Sequence, residues 1–186
     1  MSTVTMVAII LAVVAIAAIL WIYFQKQKTQ KLRTKFGPEY DRLVEKEQGN
    51  VRRAEAVLDG RQKRVSKFDM RALNREECDR FAADWRNAQE HFVDDPRKAV
   101  SDANALVNQA LSARGYPMGD FEQRAADISV EHPQVVENYR VAHDIAVRDK
   151  SSQATTEELR RAMQHYRSLF EHVLDTRVNV YEEVHR

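Results

Sequence analysis

Cysteine, glycine and proline are scarce in this sequence of 186 residues, which contains one Cys, five Gly and four Pro. A single cysteine excludes an internal disulfide bond and any site built from several cysteine ligands. The low glycine content excludes a collagen-like chain, and an apolar content of 44% excludes a wholly disordered one. The chain is therefore expected to fold, and its length fits one ordinary domain plus a short extra element.

Charged side chains are absent from residues 1–24, although 31% of the whole sequence is charged. Residues 4–24 are almost entirely apolar, and a helix of that length spans about 31 Å, close to the ~30 Å hydrocarbon core of a bilayer. We therefore predict a transmembrane anchor, with Trp21 and Tyr23 at the membrane interface. A cleaved signal peptide is the alternative, but it would carry an early basic residue and a shorter apolar run.

Basic residues follow the apolar run directly. All charged residues between positions 25 and 35 are Lys or Arg, namely Lys26, Lys28, Lys31, Arg33 and Lys35. Because basic residues favour the cytoplasmic side, we predict an N-terminus outside a cell membrane and a cytoplasmic C-terminal domain. The lone Cys78 agrees with a reducing compartment. The five basic residues are expected to contact lipid headgroups together with Trp21 and Tyr23.

The remaining sequence divides by charge. Residues 25–71 hold 14 Lys or Arg against 7 Asp or Glu, whereas residues 72–186 hold 15 against 21. A basic arm beside a membrane is attracted to anionic lipid by about 1 kcal/mol per basic residue. We therefore expect inner-leaflet anionic lipid as a partner, although a merely solvated basic helix is the alternative. Nucleic acid is not expected, because the arm lacks interleaved exposed aromatic residues.

The arm is predicted to be helical from Pro38 to about Lys67. Gly49-Asn50 weakens its middle, so one helix and two helices both remain open. Packing against the distal domain and self-association are the two interpretations of its apolar side, which runs through Tyr40, Leu43, Glu47, Val51, Ala54 and Leu58.

Five helix patterns follow the arm, and several begin with a recognisable cap. Asn74 with Glu77 and Thr155 with Glu158 have the spacing of a capping box. A short stretch at residues 178–181 is the only strand-like pattern. We predict an all-α fold in which a single N-terminal transmembrane helix and a helical stalk precede an antiparallel bundle of about five helices. The predicted parts are the anchor (1–24), the basic arm (25–71), the bundle (72–175) and a C-terminal tail (176–186).

No catalytic, cofactor or metal site is predicted. The only Glu-x-x-His pair is Glu182 with His185, and the sequence contains no G-x-S-x-G, P-loop or H-E-x-x-H motif. We expect Cys78 to be a small buried hydrophobe and not a nucleophile. A small enzyme whose carboxylates are brought together only by folding is the alternative.

Histidines are expected to be structural. His165 and His172 lie seven residues apart, which places them on one solvated side of the last helix. His143 falls on an apolar face and is expected to be a core or boundary residue.

The connection at residues 114–121 carries three large apolar side chains among two glycines and a proline. Tyr116, Met118 and Phe121 could contact a partner as apolar anchors. Alternatively, the connection folds back over one end of the bundle as a plug.

This connection also carries a resemblance. The sequence RGYPMGDFEQRAAD at 114–127, with FVDDP at 92–96 and HPQVVENYR at 132–140, resembles a family of uncharacterised bacterial proteins. Many of these carry names such as hypothetical or secreted protein, and some are membrane-anchored. The resemblance covers roughly residues 36–145 and implies a bacterial source, but no activity or ligand. A secreted location would conflict with the cytoplasmic orientation predicted from the basic flank.

Taken together, the sequence predicts a single-pass membrane protein and not an enzyme. Its soluble helical bundle would act as a protein-interaction or scaffold module at the membrane surface, with an unidentified protein partner. An envelope-facing binding or enzymatic domain of inverted topology is the alternative. The oligomeric state is left open.

Overall fold

A computed structural model describes residues 3–151 and 153–175 of the chain. The regular secondary structure of these residues is entirely helical, as predicted. The helices are α1 (Thr3–Phe36), α2 (Pro38–Lys46), α3 (Val51–Val65), α4 (Arg75–His91), α5 (Pro96–Ala113), α6 (Phe121–Glu131), α7 (Val136–Asp149) and α8 (Thr156–Asp175). The predicted tail (176–186), with its strand-like stretch and the Glu182–His185 pair, lies outside the described residues.

The first helix continues well beyond the apolar run and carries the basic residues on the same rod. It ends at Phe36, and Gly37 then adopts a φ of +49° before Pro38 opens α2. A second break follows at Gly49, whose φ of +82° lies in the region that favours glycine. The arm therefore contains two further helices, α2 and α3, and not one.

The chain divides into two compact units, Met1–Leu58 and Asp59–Arg186. The division falls within α3, and the domain boundary after residue 71 stays a prediction from charge. Most of the apolar side predicted for the arm is buried, including Tyr40, Leu43 and Ala54. Val51, at the start of α3, is exposed.

The helices α4 to α8 form the predicted bundle. Helix α8 packs against α5 and α7, while α4 packs on α5 and α6 packs on α7. The indole of Trp85 stacks on the ring of Phe170 with centroids 4.6 Å apart, in a core that also contains Tyr139 and Tyr166. Burying each such aromatic or aliphatic side chain contributes about 1.5–3 kcal/mol.

The predicted helix starts are confirmed by their hydrogen bonds. The Asn74 side chain accepts from the backbone N–H of Glu77 at 2.8 Å, and the Glu77 carboxylate accepts from the Asn74 N–H at 2.9 Å. Thr155 and Glu158 form the equivalent pair at the start of α8. Each pair satisfies two backbone donors that a helix terminus leaves without a helical partner.

Candidate functional site

From Leu11 to Phe24, α1 exposes its large apolar side chains on every side of the helix. The segment Leu11–Phe36 is long and apolar enough to cross a membrane, and its most apolar window has no buried residue. Every large apolar side chain from Leu11 to Phe24 is at least half exposed. Soluble proteins cover such a helix, because only an apolar stripe toward a core is stable in water. One helix near the N-terminus therefore meets the requirements of a membrane span by length and composition.

The five basic residues predicted to contact headgroups are all exposed on α1. At 3.6 residues per turn, Lys28, Lys31 and Lys35 share one face, while Lys26 and Arg33 share the opposite face. The Cα–Cβ bonds of a helix tilt toward its N-terminus, so these side chains lean back toward the apolar segment. Long basic side chains in this position can cover apolar surface while their charged ends stay in a polar layer.

A buried carboxylate, Glu55 of α3, joins the helices of the first unit. Only 4% of this residue is exposed, and its Oε1 accepts hydrogen bonds from Thr29 Oγ1 at 2.6 Å and the Tyr40 hydroxyl at 3.3 Å. Burial, followed by the negative charge of Glu55, raises the pKa of Tyr40. The Tyr40 hydroxyl therefore stays protonated and remains a donor. These bonds hold the basic end of α1 against α2 and α3.

A groove of about 550 Å³ lies beside α1 where the apolar segment meets the basic segment. Trp21 and Ile22 line its apolar end, and Lys26, Arg33 and Arg52 supply positive charge. We call it the interfacial groove, and its lining residues are Trp21, Ile22, Gln25, Lys26, Thr29, Gln30, Arg33 and Arg52.

The connection at residues 114–121 does not present all three of its large side chains to solvent. Tyr116 is only 3% exposed, and its hydroxyl donates to Glu131 Oε2 at 2.8 Å. Phe121 is half-buried, and its ring stacks on that of His143 with centroids 3.6 Å apart. Met118 is 45% exposed. Of the three candidate partner contacts, Met118 is thus the one at the surface, because Tyr116 is part of the bundle core.

Arg114 forms a buried polar cluster where three helices end. It follows α5, and its Nη1 lies 3.5 Å from Nε2 of His132, the residue that ends α6. The same Nη1 donates to the carbonyl oxygen of Val173 in α8 at 3.4 Å. Nη2 lies 3.7 Å from Glu131 Oε2. A cation is favourable here, because the C-terminal ends of helices carry partial negative charge.

The Arg114 cluster fixes the protonation state of His132. A guanidinium has only donors, so Nε2 of His132 must be unprotonated to accept from Arg114. Burial, followed by the positive charge of Arg114, lowers the pKa of His132 to about 4. The imidazole is therefore neutral at physiological pH.

Asp127 is a buried carboxylate on α6 that binds the basic end of α3. Nε of Arg64 donates to Asp127 Oδ1 at 2.9 Å, and Nη2 donates to the same oxygen. Nη1 of Arg61 donates to Ser129 Oγ at 3.1 Å. Burial raises the pKa of the Asp127 carboxyl, against the opposing effect of the Arg64 charge. Arg61 and Arg64, which follow Gly60 on α3, therefore take part in packing.

Among the described residues, no group of three or more His, Cys, Asp or Glu side chains is arranged to hold a metal ion. Cys78 is half-buried and packs against the core. His165 was predicted to be solvated, but it is half-buried. Its Nδ1 lies 3.1 Å from Oδ1 of Asn138.

A second groove, of about 230 Å³, lies on the bundle surface between the end of α4 and the middle of α8. Phe92 and Met163 give it an apolar floor, and Arg160 and Arg167 flank it. Val93, beside Phe92, is 86% exposed. We call it the α4–α8 groove, and its lining residues are Gln89, Phe92, Arg160, Met163, Gln164 and Arg167.

Sequence reasoning missed Arg52 as a residue of the interfacial groove. Arg52 lies far along the chain from Trp21, and the turns at Gly37 and Gly49 are what return the chain to α1. The only sequence signal that included Arg52 was the net charge of the arm. That charge does not distinguish Arg52 from Arg53.

The chain has no match among the known proteins with which it was compared. No protein-family model, curated protein or solved structure matches it.

Proposed function

We propose that this chain is a single-pass membrane protein whose helical bundle is a non-catalytic protein-interaction module held at the cytoplasmic surface. The observation that carries the proposal is α1, in which an apolar segment that is exposed from Leu11 to Phe24 continues without a break into a segment whose basic side chains are exposed. The apolar segment would be covered by lipid tails, and the basic segment would lie at anionic headgroups.

The basic flank supports a cytoplasmic bundle. Lys26, Lys28 and Lys31 follow within about 11 Å of Phe24 at 1.5 Å per residue, which is within the range that governs membrane topology. An anchored bundle meets its partner at a raised local concentration, so a modest surface is sufficient for binding.

The α4–α8 groove is the surface that we propose for the protein partner. Its floor is apolar, and its flanking arginines favour carboxylates on the partner. The occupant would be an acidic segment of another protein that inserts an apolar side chain between Phe92 and Met163. Arg160 and Arg167 are exposed and pair with carboxylates on α8 itself, so they can exchange partners at small cost.

A photocrosslinking amino acid at Gln164, introduced into the full chain in native membranes, tests this surface. We expect a discrete protein adduct that is lost on Arg167→Glu and retained on Arg161→Glu. Arg161 is exposed on the same helix but does not line the groove, so it is a matched control for the charge change. Adducts that are equally strong in both variants would overturn the assignment of this groove.

A further inference from the structure

The interfacial groove combines two features that a phospholipid requires of one site. Trp21 and Ile22 form an apolar wall at one end, where acyl chains begin. Cationic side chains line the other end, where the phosphate group of the lipid lies. Phospholipids change from apolar to anionic over the same short distance, since the headgroup layer on each side of a bilayer is only about 5–8 Å thick.

The groove has cations from two different helices. Lys26 and Arg33 come from α1, and Arg52 comes from the first turn of α3. Two helices that converge on one anion fix it in place more strongly than a row of charges along a single exposed helix. The site is therefore distinct from the general attraction between the basic arm and the bilayer.

The electrostatics of the groove favour an anion. Among the described residues, neither Lys26 nor Arg52 forms an ion pair, and Arg33 has only an exposed contact with Asp41 at 3.1 Å. The buried carboxylate of Glu55 does not line the groove, and its Oε1 is engaged by Thr29 and the hydroxyl of Tyr40. Those bonds hold the groove wall at Thr29.

When α1 spans a bilayer, the cations of the interfacial groove lie at the depth of the lipid headgroups. Lys26 follows Phe24 by about 3 Å along the helix axis, and Arg33 follows it by about 14 Å. Side chains on this helix lean toward its N-terminus and therefore toward the bilayer, so the long Arg33 side chain reaches back to the headgroup layer.

We propose that the interfacial groove is a binding site for one anionic phospholipid, whose phosphate contacts Lys26, Arg33 and Arg52 and whose acyl chains lie along Trp21 and Ile22. The inference rests on the proposed function, because it requires that α1 spans the bilayer. The lipid would fix the rotation of α1 at the membrane surface and therefore the direction in which α2 and α3 leave it.

Quenching of Trp21 by brominated lipid in reconstituted full-length protein tests the site. Vesicles of phosphatidylcholine and phosphatidylglycerol at one fixed ratio are prepared twice, with bromine on either lipid. The emission of Trp21 is the difference between the unmodified chain and Trp21→Phe, which leaves Trp85 in place. We expect phosphatidylglycerol to quench more than its share of the bilayer predicts, and Arg52→Gln to reduce this selectivity about fivefold.

Arg53→Gln is the matched control, because Arg53 is the exposed neighbour of Arg52, carries the same charge and does not line the groove. Quenching by the two lipids in proportion to their shares of the bilayer, or the same loss in both variants, would overturn the lipid site while leaving the anchor intact. Quenching by neither lipid would overturn the anchor and the site together. Loss of selectivity in soluble glycerol phosphate at a concentration no higher than that of the lipid would assign the groove to a free phosphate ligand and overturn the lipid assignment.

Discussion

The carbonyl oxygen of Asp69 occupies the space that a side chain at Gly115 would need. A Cβ on Gly115 would lie 2.2 Å from that oxygen, and Gly115 adopts a φ of +96°. The backbone N–H of Arg71 donates to the carbonyl oxygen of Arg114 at 3.0 Å in the same place. The segment that precedes α4 is therefore bonded to the end of α5 through a contact that only glycine permits.

Gly115→Ala should lower the free energy of unfolding of the bundle by about 2–4 kcal/mol, because it adds a backbone clash to an unfavourable φ. Unfolding is measured on the full chain with Trp21→Phe in neutral micelles, through the fluorescence of Trp85, which stacks in the core. Gly119→Ala is the control, since its Cβ would meet only Gln123 side-chain atoms at ordinary distances. Equal stability of the two variants would contradict the close approach of Asp69.

Arg64→Gln should destabilise the bundle by about 3 kcal/mol, because it leaves the Asp127 carboxylate buried without its charged partner. Lys63→Gln removes the same charge from an exposed neighbouring position and should change stability by less than about 0.5 kcal/mol. The double variant Arg64→Gln/Asp127→Asn should recover part of the loss in a double-mutant cycle. Strictly additive effects would mean that the two side chains are not coupled.

The low pKa of His132 predicts acid sensitivity of the bundle. Its folded pKa is about 4, compared with about 6.5 for a free imidazole, so the unfolded chain binds the proton first as pH falls. Stability should therefore be unaffected above about pH 7, fall by roughly 3 kcal/mol between pH 6.5 and 4, and level off below that range. His132→Gln should flatten this part of the profile relative to the unmodified chain. Equal free energies of unfolding from urea titrations at pH 7 and pH 5 would contradict the burial of a neutral His132.

Helix positions and most core residues could be predicted from the sequence, because capping residues and apolar spacing are local signals. Asn74 with Glu77 marked the start of α4, and the helical spacing of Phe81 and Trp85 matches its buried face. The Arg114 and Asp127 clusters could not be predicted, because their partners lie many residues away and depend on which helix ends meet. The burial of Tyr116 fits the alternative in which the 114–121 connection folds back over the bundle, but its partner Glu131 on α6 could not be predicted.

The continuation of α1 to Phe36 was also missed. The change from apolar to basic residues at Phe24 does not end the helix, because Lys, Gln and Thr side chains interrupt no backbone hydrogen bonds. The break that Gly49 indicated in the arm is confirmed. Gly49 has a positive φ, which the absence of a Cβ allows.

The topology of the bundle is predicted to depend on the basic flank of α1. Reporters that are active only in the cytoplasm or only outside it, fused after Arg186, should give a cytoplasmic location. Replacing Lys26, Lys28 and Lys31 by Gln and adding Lys at positions 2 and 3 should move a measurable fraction of the chain to the inverted orientation. An external reporter in the unmodified chain would instead favour an envelope-facing domain.

Extraction of native membranes with alkaline carbonate tests the central claim most directly, because it removes peripheral proteins and leaves membrane-spanning helices in place. We predict that the full chain remains with the membranes after carbonate and is released only by detergent. A variant with Ile16→Asp and Ile19→Asp should lose this resistance, because charged residues at the centre of a span are costly. Release of the unmodified chain by carbonate would contradict the proposal that α1 is a membrane anchor.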